Sequence, residues 1–296
     1  MDEYYRVVRK LPNPLGSELA TLNAQIAPFV QEIRLRAGQP VLFTMKGRLN
    51  PCSKFLPAAE SAANLDREVL RQCFLSLCRH SVYAHEEELR KGYFTIPGGN
   101  RVGVAGVHGP HGFSVITSLN LRVARWLTCD IPASVQQHLA VLQQGLLVAG
   151  LPGSGKTTFL RSIIQYLGQS NRIFCVVDER GELLAGNAAG LPVDRDIRCD
   201  VYTQLPKAEA ICMALRCMNP QTIVCDELGT SADAEAVERG LASGVVFLAS
   251  VHCDTVENLS RKPQIARLLS MGAFGKAVFL DGRERPGKVA RVVTLQ

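Results

Sequence analysis

The chain has 296 residues, 47 % hydrophobic and 20 % charged, with a formal net charge of +6, which excludes a disordered chain and leaves ample core for one large or two smaller domains. No stretch approaches the ~18 consecutive apolar residues that cross a bilayer, and the opening MDEYYRVVRKLPNPLG has no apolar centre of a secretory signal, so a cytoplasmic protein is expected. Residues 1–140 carry 16 Lys+Arg against 11 Asp+Glu, and residues 141–296 carry 17 against 16; without a Lys/Arg run, and with 6 % aromatics, this surplus does not mark a nucleic-acid partner.

In chain order, Glu32–Gly47 (EIRLRAGQPVLFTMKG) alternates like two strands around a Gly-Gln-Pro turn. Leu65–His80 spaces its apolar residues as an amphipathic helix, and Tyr93–Arg125 reads as three strands joined by Gly-rich turns. These segments predict a small α+β domain over residues 1–126. A linker is expected over 127–143, with a proline, an N-capping Ser134 and a short amphipathic helix.

Over 144–296 strand and helix alternate. Strands are expected at GLLVAG, RIFCVVDE, QTIVCDE, GVVFLASVH, KAVFLDG and KVARVVTL, and helices at KTTFLRSIIQYL, KAEAICMALRCM, SADAEAVERGLAS and Glu257–Leu269. Near-continuous Val/Ile/Leu/Phe strands between helices predict an α/β domain whose mostly parallel sheet is covered on both faces. The short DGRERPGK loop predicts that the last two strands form a hairpin at one edge. Ten cysteines are scattered without any C-x-x-C pair. They read as free thiols of a reducing compartment rather than a disulfide framework or a zinc site. His80, His85, His108, His111 and His138 likewise show no metal-ligand spacing.

The chemistry concentrates after the first strand of the second half. Gly150–Thr157 (GLPGSGKT) has the G-x-x-x-x-G-K-T spacing of a phosphate-binding loop between a strand and a helix. Gly150, Gly153 and Gly155 allow the tight backbone, and Pro152, Ser154 and Thr158 complete the cradle. Lys156 is expected on the β- and γ-phosphates of a nucleoside triphosphate, and the Thr157 hydroxyl on Mg²⁺. Asp226 and Glu227 end an apolar strand as a Walker B pair. Asp226 is expected to hold Mg²⁺ through its water shell, and Glu227 to orient or deprotonate the attacking water. A second acidic pair, Asp178 and Glu179, ends the preceding strand; it reads either as a site element or as a strand-end turn pairing with Arg180. His252 ends GVVFLASVH on the same edge, where it could sense the γ-phosphate. Arg101, Arg122 and Arg125, near the last strands of the first domain, are candidates to complete a nucleotide site from outside the core.

A whole strand, RIFCVVDE, separates the phosphate-loop helix from the Walker B strand, an order that resembles the RecA-like and AAA-like branch of phosphate-loop ATPases. With GLPGSGKTT, EIRLRAGQPV, RVGVAGV, SLNLRVAR, VVDERGEL, NPQTIVCDELGT and ASVHCDT in order, nearly the whole chain resembles the secretion and type IV pilus ATPase superfamily. Within it, the chain is similar to the branch that serves sporulation in endospore-forming bacteria. The resemblance implies a RecA-like core, an ATPase requiring ATP and Mg²⁺, and a ring-shaped homo-oligomer, usually a hexamer. It also implies residence in the mother cell and partners among the membrane proteins of a channel complex facing the forespore. It matches Lys156 and Thr157 to the Walker A pair, Asp226 and Glu227 to the Walker B pair, Asp178 and Glu179 to an acidic box, and His252 to a histidine box. Arg122 and Arg125 fall where the superfamily has arginines near the domain junction. A longer C-terminal helical region and a four-cysteine zinc insert, present in many pilus motors, are not expected from this sequence. Two other readings stay open at this point: a nucleic-acid motor or loader on the same core, and a scaffold that binds ATP with little hydrolysis.

Overall fold

A computed structural model describes residues 2–109, 112–184 and 197–295; His111 lies outside them. The chain divides into two compact units that meet in sequence between Arg125 and Trp126.

The first unit runs through α1 (Glu3–Val8), α2 (Leu15–Leu19), β1 (Val30–Arg36), β2 (Leu42–Met45), β3 (Arg48–Pro51), α3 (Arg67–Leu77), α4 (Glu86–Arg90), β4 (Tyr93–Ile96), β5 (Asn100–Gly109) and β6 (Gly112–Arg122). Its six strands pair antiparallel in the order β3-β2-β1-β6-β5-β4. A register shift between Val30 and Glu32 breaks the alternation of β1, so Val30 and Ile33 both point into the core. Helix α3 contributes Leu70, Cys73, Phe74 and Leu77 to that core, with the Phe74 ring set edge-on to Phe94 at 5.7 Å. Asp66 caps its first turn by accepting from Val69 N at 2.7 Å.

The second unit runs through α5 (Ala133–Val141), β7 (Gly145–Ala149), α6 (Lys156–Gly168), β8 (Phe174–Asp178), β9 (Asp200–Thr203), α7 (Lys207–Cys217), β10 (Thr222–Cys225), α8 (Ser231–Ala242), β11 (Val246–Val251), α9 (Val256–Ser260), α10 (Pro263–Ser270), β12 (Phe274–Leu280) and β13 (Val289–Thr294). The sheet order is β13-β12-β7-β11-β10-β8-β9, parallel throughout except for the β12–β13 hairpin at one edge. Strands β7, β8 and β10 are buried along their whole length. Their alternate residues explain why. Leu147, Cys175, Ile223 and Phe247 face one way, packing with Ala210 and Ile211 of α7, Val237 of α8 and Ile265 of α10. Leu146, Val176, Val224 and Leu248 face the other way, packing with Leu139 of α5 and Phe159, Ile163 and Leu167 of α6. Two helical layers thus cover one parallel sheet, and each fully buried Leu, Ile, Val or Phe contributes about 1.5–3 kcal/mol.

Three local expectations are corrected, and one strand comes without a sequence signal. Residues 127–143 are not a free linker: Val135, Leu139 and Leu142 are core residues of the second unit. Ser134 does not cap α5, because Pro132 holds the N-cap position and Ser134 lies inside the first turn. The helix expected over Glu257–Leu269 is two helices, α9 and α10, since Pro263 has no N–H to continue a helix and instead opens the next one. Strand β9 (DVYT) has no buried residue and no apolar run to announce it.

The cysteines are free thiols. Burial pushes Cys73, Cys78, Cys175 and Cys225 each up to about 12, so they behave as small apolar side chains at neutral pH.

Candidate active site

Parallel strands deliver their C-terminal ends to one edge of the sheet. Gly150 follows β7, His252 follows β11, Asp226 and Glu227 follow β10, and Asp178 with Glu179 closes β8. The registers align Ala149 with Val251, Ala249 with Cys225, and Cys225 with Val177. The four motifs therefore stand side by side in the spatial order β7-β11-β10-β8, which is not their order in the chain.

Between β7 and α6 the loop needs its glycines. Gly153 and Gly155 have φ of +81° and +91°, the left-handed region that other residues enter only with strain. A Cβ on Gly155 would stand 2.2 Å from Gly287 N, in the turn between β12 and β13. That turn braces the loop: Gly287 N donates to Ser154 O at 2.8 Å and Arg283 Nε to Pro152 O at 2.7 Å. The first N–H groups of an α-helix have no acceptor within the helix. Those of Lys156, Thr157 and Thr158 thus open α6 toward the loop, with the positive end of the helix dipole behind them. A backbone nest that excludes side chains and ends on a helix N-terminus fits a phosphate group.

Lys156 is half-buried, and burial pulls its ammonium below the ordinary lysine value, opposed by Glu227. Its Nζ donates to Gly150 O at 2.9 Å and Leu151 O at 3.2 Å, and lies 2.9 Å from His252 Nδ1. His252 Nε2 in turn lies 2.9 Å from Glu227 Oε2. An ammonium can only donate, so Nδ1 accepts, the ring proton sits on Nε2, and Nε2–H donates to the Glu227 carboxylate. Lys156, His252 and Glu227 form a connected line across three adjacent strands.

A second cluster lies beside it. Lys207 opens α7 with its side chain 5 % exposed; its Nζ is 2.7 Å from Asp226 Oδ1 and 3.7 Å from Glu179 Oε2, and it donates to the Glu227 carbonyl oxygen. Burial pushes the Asp226 carboxyl up to about 6, with Lys207 pulling the other way. Burial is the largest single influence and lowers Lys207, but the charge and hydrogen bond of Asp226, together with Cys225 and Asp233, outweigh it and the net shift is upward. Sequence reasoning passed over Lys207. The available signal was a lysine in the first turn of a helix, where the dipole favours acids by about 0.3–1 kcal/mol.

The acidic pair after β8 splits in two. Asp178 is buried and turned inward, accepting from Glu182 N at 2.8 Å, Leu183 N at 2.9 Å and Leu184 N at 3.0 Å. Burial raises its carboxyl, and these three N–H groups pull it partly back. Arg161 of α6 binds the same turn from the other side, donating to Leu183 O at 2.9 Å and Glu182 O at 2.6 Å. Glu179, 43 % exposed, is the member that faces Lys207.

Thr157 and Asp226 are hard oxygen donors of the kind Mg²⁺ takes, one or two at a time beside substrate phosphates. Among the described residues no group of three or more His, Cys, Asp or Glu is arranged to hold a metal. The donor set therefore fits a cation that shares its shell with a bound nucleotide.

The arginines belong to the first unit. Arg125 is committed there: Nε and Nη2 bind the Asp2 carboxylate at 3.0 and 2.9 Å, Nη1 donates to Val30 O and Nη2 to Ala27 O, both at 2.7 Å. It ties α1 to the start of β1. Arg125→Ala is expected to lower the stability of this unit by about 2–4 kcal/mol, because it removes a largely buried ion pair with Asp2 and the side-chain donors to two carbonyls. Calorimetry of the variant checks this, and an unchanged melting temperature contradicts it. Arg101 stacks over the Tyr93 ring at 4.3 Å, and Arg122 is exposed at the end of β6.

The family model for sporulation stage III, protein AA, matches residues 18–294. The chain belongs to this family. Stage III sporulation protein AA of Bacillus subtilis (strain 168) is 32 % identical over 301 residues, covering 97 % of this chain and 94 % of its own length. The structure also resembles solved ATPases. The Yersinia pseudotuberculosis ATPase DotB superposes with a TM-score of 0.64 at 15 % identity, covering 92 % of this chain and 77 % of DotB. The pilus retraction motor PilT, crystallised with ADP, gives 0.60 at 17 % identity, covering 84 % and 74 %. These likenesses establish the RecA-like α/β fold that the strand order predicts.

Proposed function

We propose that this member of the sporulation family hydrolyses ATP, as a homo-oligomer, to power or assemble a channel complex between mother cell and forespore. The observation that carries the reading is the line Lys156–His252–Glu227 beside a glycine nest at the end of β7. It brings a phosphate cradle, a cation for the β- and γ-phosphates and a carboxylate for water to one sheet edge. When a triphosphate enters, its phosphates compete for Lys156 with His252 and the loop carbonyls. His252 then keeps only Glu227, and its freed Nδ1, on taking up a proton from water, donates to a γ-phosphate oxygen while the Glu227 carboxylate holds the imidazolium. Glu227 orients the attacking water and takes its proton. Thr157 and Asp226 are the residues that would hold Mg²⁺, which when bound would supply neutralisation of the phosphate charge. The N–H groups of Gly153, Gly155, Lys156, Thr157 and Thr158 fix the phosphate chain, and catalysis is positioning plus charge stabilisation.

Family membership supports the sporulation role, and the ATPase neighbours support the reaction class. Among the described residues no helix is long and apolar enough to cross a membrane, and membrane proteins of the channel complex are the proposed anchors. Phosphate release from ATP·Mg²⁺ by the purified chain, measured with its size with and without ATP·Mg²⁺, tests the reading. Turnover with nucleotide-dependent assembly is expected. Tight ATP binding without turnover at any assembly state leaves a scaffold and overturns hydrolysis.

A further inference from the structure

Lys207 is not accounted for by the hydrolytic scheme. A lysine in the first turn of a helix opposes the helix dipole, and burying it to 5 % exposure adds a desolvation cost. Three oxygens offset these costs: Asp226 Oδ1 and Glu179 Oε2 as ion-pair partners at 2.7 and 3.7 Å, and the Glu227 carbonyl as hydrogen-bond acceptor. One ammonium thus joins the end of β8 to both acids that follow β10.

We propose that Lys207 is a built-in counter-ion and positioning residue, which keeps the Asp226–Glu179 pair from taking up a divalent cation until a nucleotide brings one, and which pins the Glu227 backbone so that its carboxylate meets His252. The proposal rests on Asp226 being the metal-side acid of the nucleotide site. A bare cation has to displace Nζ from Asp226 in a poorly solvated setting, where a charge pair is held more strongly than in water. With Oδ1 occupied by Lys207, Asp226 offers one oxygen. That suffices for a cation whose remaining shell comes from Thr157, water and phosphates, and is too little for a cation arriving alone. The same ammonium holds the Glu227 carbonyl, and Glu227 Oε2 lies 2.9 Å from His252 Nε2. Losing Lys207 therefore releases two acids and loosens a third.

The test is a Mn²⁺ titration of the full chain without nucleotide, read by electron paramagnetic resonance. Lys207→Met removes the charge and the donor; Lys207→Gln removes the charge and keeps an amide donor for the Glu227 carbonyl. Each is expected to bind Mn²⁺ at least about tenfold more tightly than wild type, equal to about 1.4 kcal/mol. Either one decides if the other fails to fold, as judged by circular dichroism. Lys207→Arg is expected to stay at the wild-type level because it keeps the charge. Adding Asp226→Asn to Lys207→Gln is expected to abolish the gain. Wild-type Mn²⁺ affinity equal to that of the charge-removing variants, or a gain that survives Asp226→Asn, overturns the proposal. In turnover, Lys207→Gln is expected to lower kcat about tenfold or more with KM for ATP little changed. A wild-type chain without turnover sinks the hydrolase reading alone, since the Mn²⁺ titration needs no hydrolysis.

Discussion

Lys156→Ala is expected to weaken nucleotide binding by at least tenfold and to remove turnover, whereas Glu227→Gln is expected to bind ATP as wild type does and to turn over about 10²–10³-fold more slowly. The difference follows from what each side chain touches. Lys156 reaches the loop carbonyls of Gly150 and Leu151, so its charge sits inside the phosphate cradle and acts on bound substrate and transition state alike. Alanine there also strips His252 Nδ1 of its donor. Glu227 stands two contacts further along, behind His252. Glutamine keeps its length and can still accept from Nε2–H, so the site retains its shape and loses only the carboxylate that orients and deprotonates water. Binding of a fluorescent ATP analogue, with phosphate release measured in parallel, separates the two cases. Wild-type turnover in Glu227→Gln moves the role of base to another acid, with Glu179 the first to examine.

The parts of the site that were legible in the sequence are those fixed by local chemistry. Glycines at 150, 153 and 155 followed by Lys156 and Thr157 constrain a backbone that must turn against a phosphate, and such a constraint is written in consecutive residues. Apolar runs ending in Asp226, Glu179 or His252 announce strands that finish at one edge, because a strand buried on both faces has only its ends for polar groups. The unpredicted parts depend on packing between segments distant in sequence. Lys207 lies in a stretch that reads as an ordinary amphipathic helix, and only the sheet order brings it against Asp226 and Glu179. The brace from Arg283 and Gly287 onto the phosphate loop crosses more than a hundred residues, and no spacing rule reports it. Arg125 looks like any arginine beside a domain junction until Asp2, Ala27 and Val30 are seen to take up its donors. Pro263 is a different case: it marks the break between α9 and α10 in plain sight, but the apolar periodicity on either side reads through it.

The Asp178–Glu179 pair shows how adjacent acids at one strand end divide into structure and chemistry. Strand alternation sends neighbouring side chains to opposite sides, and here one goes into the protein and the other to the active edge. Asp178→Asn is expected to cost about 2–4 kcal/mol of stability: the carboxylate accepts three backbone N–H groups, and an amide presents two donors of its own to the same turn. The turn is held from its other side by Arg161, whose guanidinium needs the Leu183 and Glu182 carbonyls in place, so losing one clamp weakens the second. Glu179→Gln is expected to leave stability within about 0.5 kcal/mol of wild type, since that side chain is 43 % exposed and 3.7 Å from its ionic partner. Its effect belongs to turnover, through Lys207. Denaturant melts of the two variants, run beside ATPase assays, give the comparison. A stable Asp178→Asn protein that has lost turnover, with Glu179→Gln unfolded or unaffected in rate, would reverse the assignment.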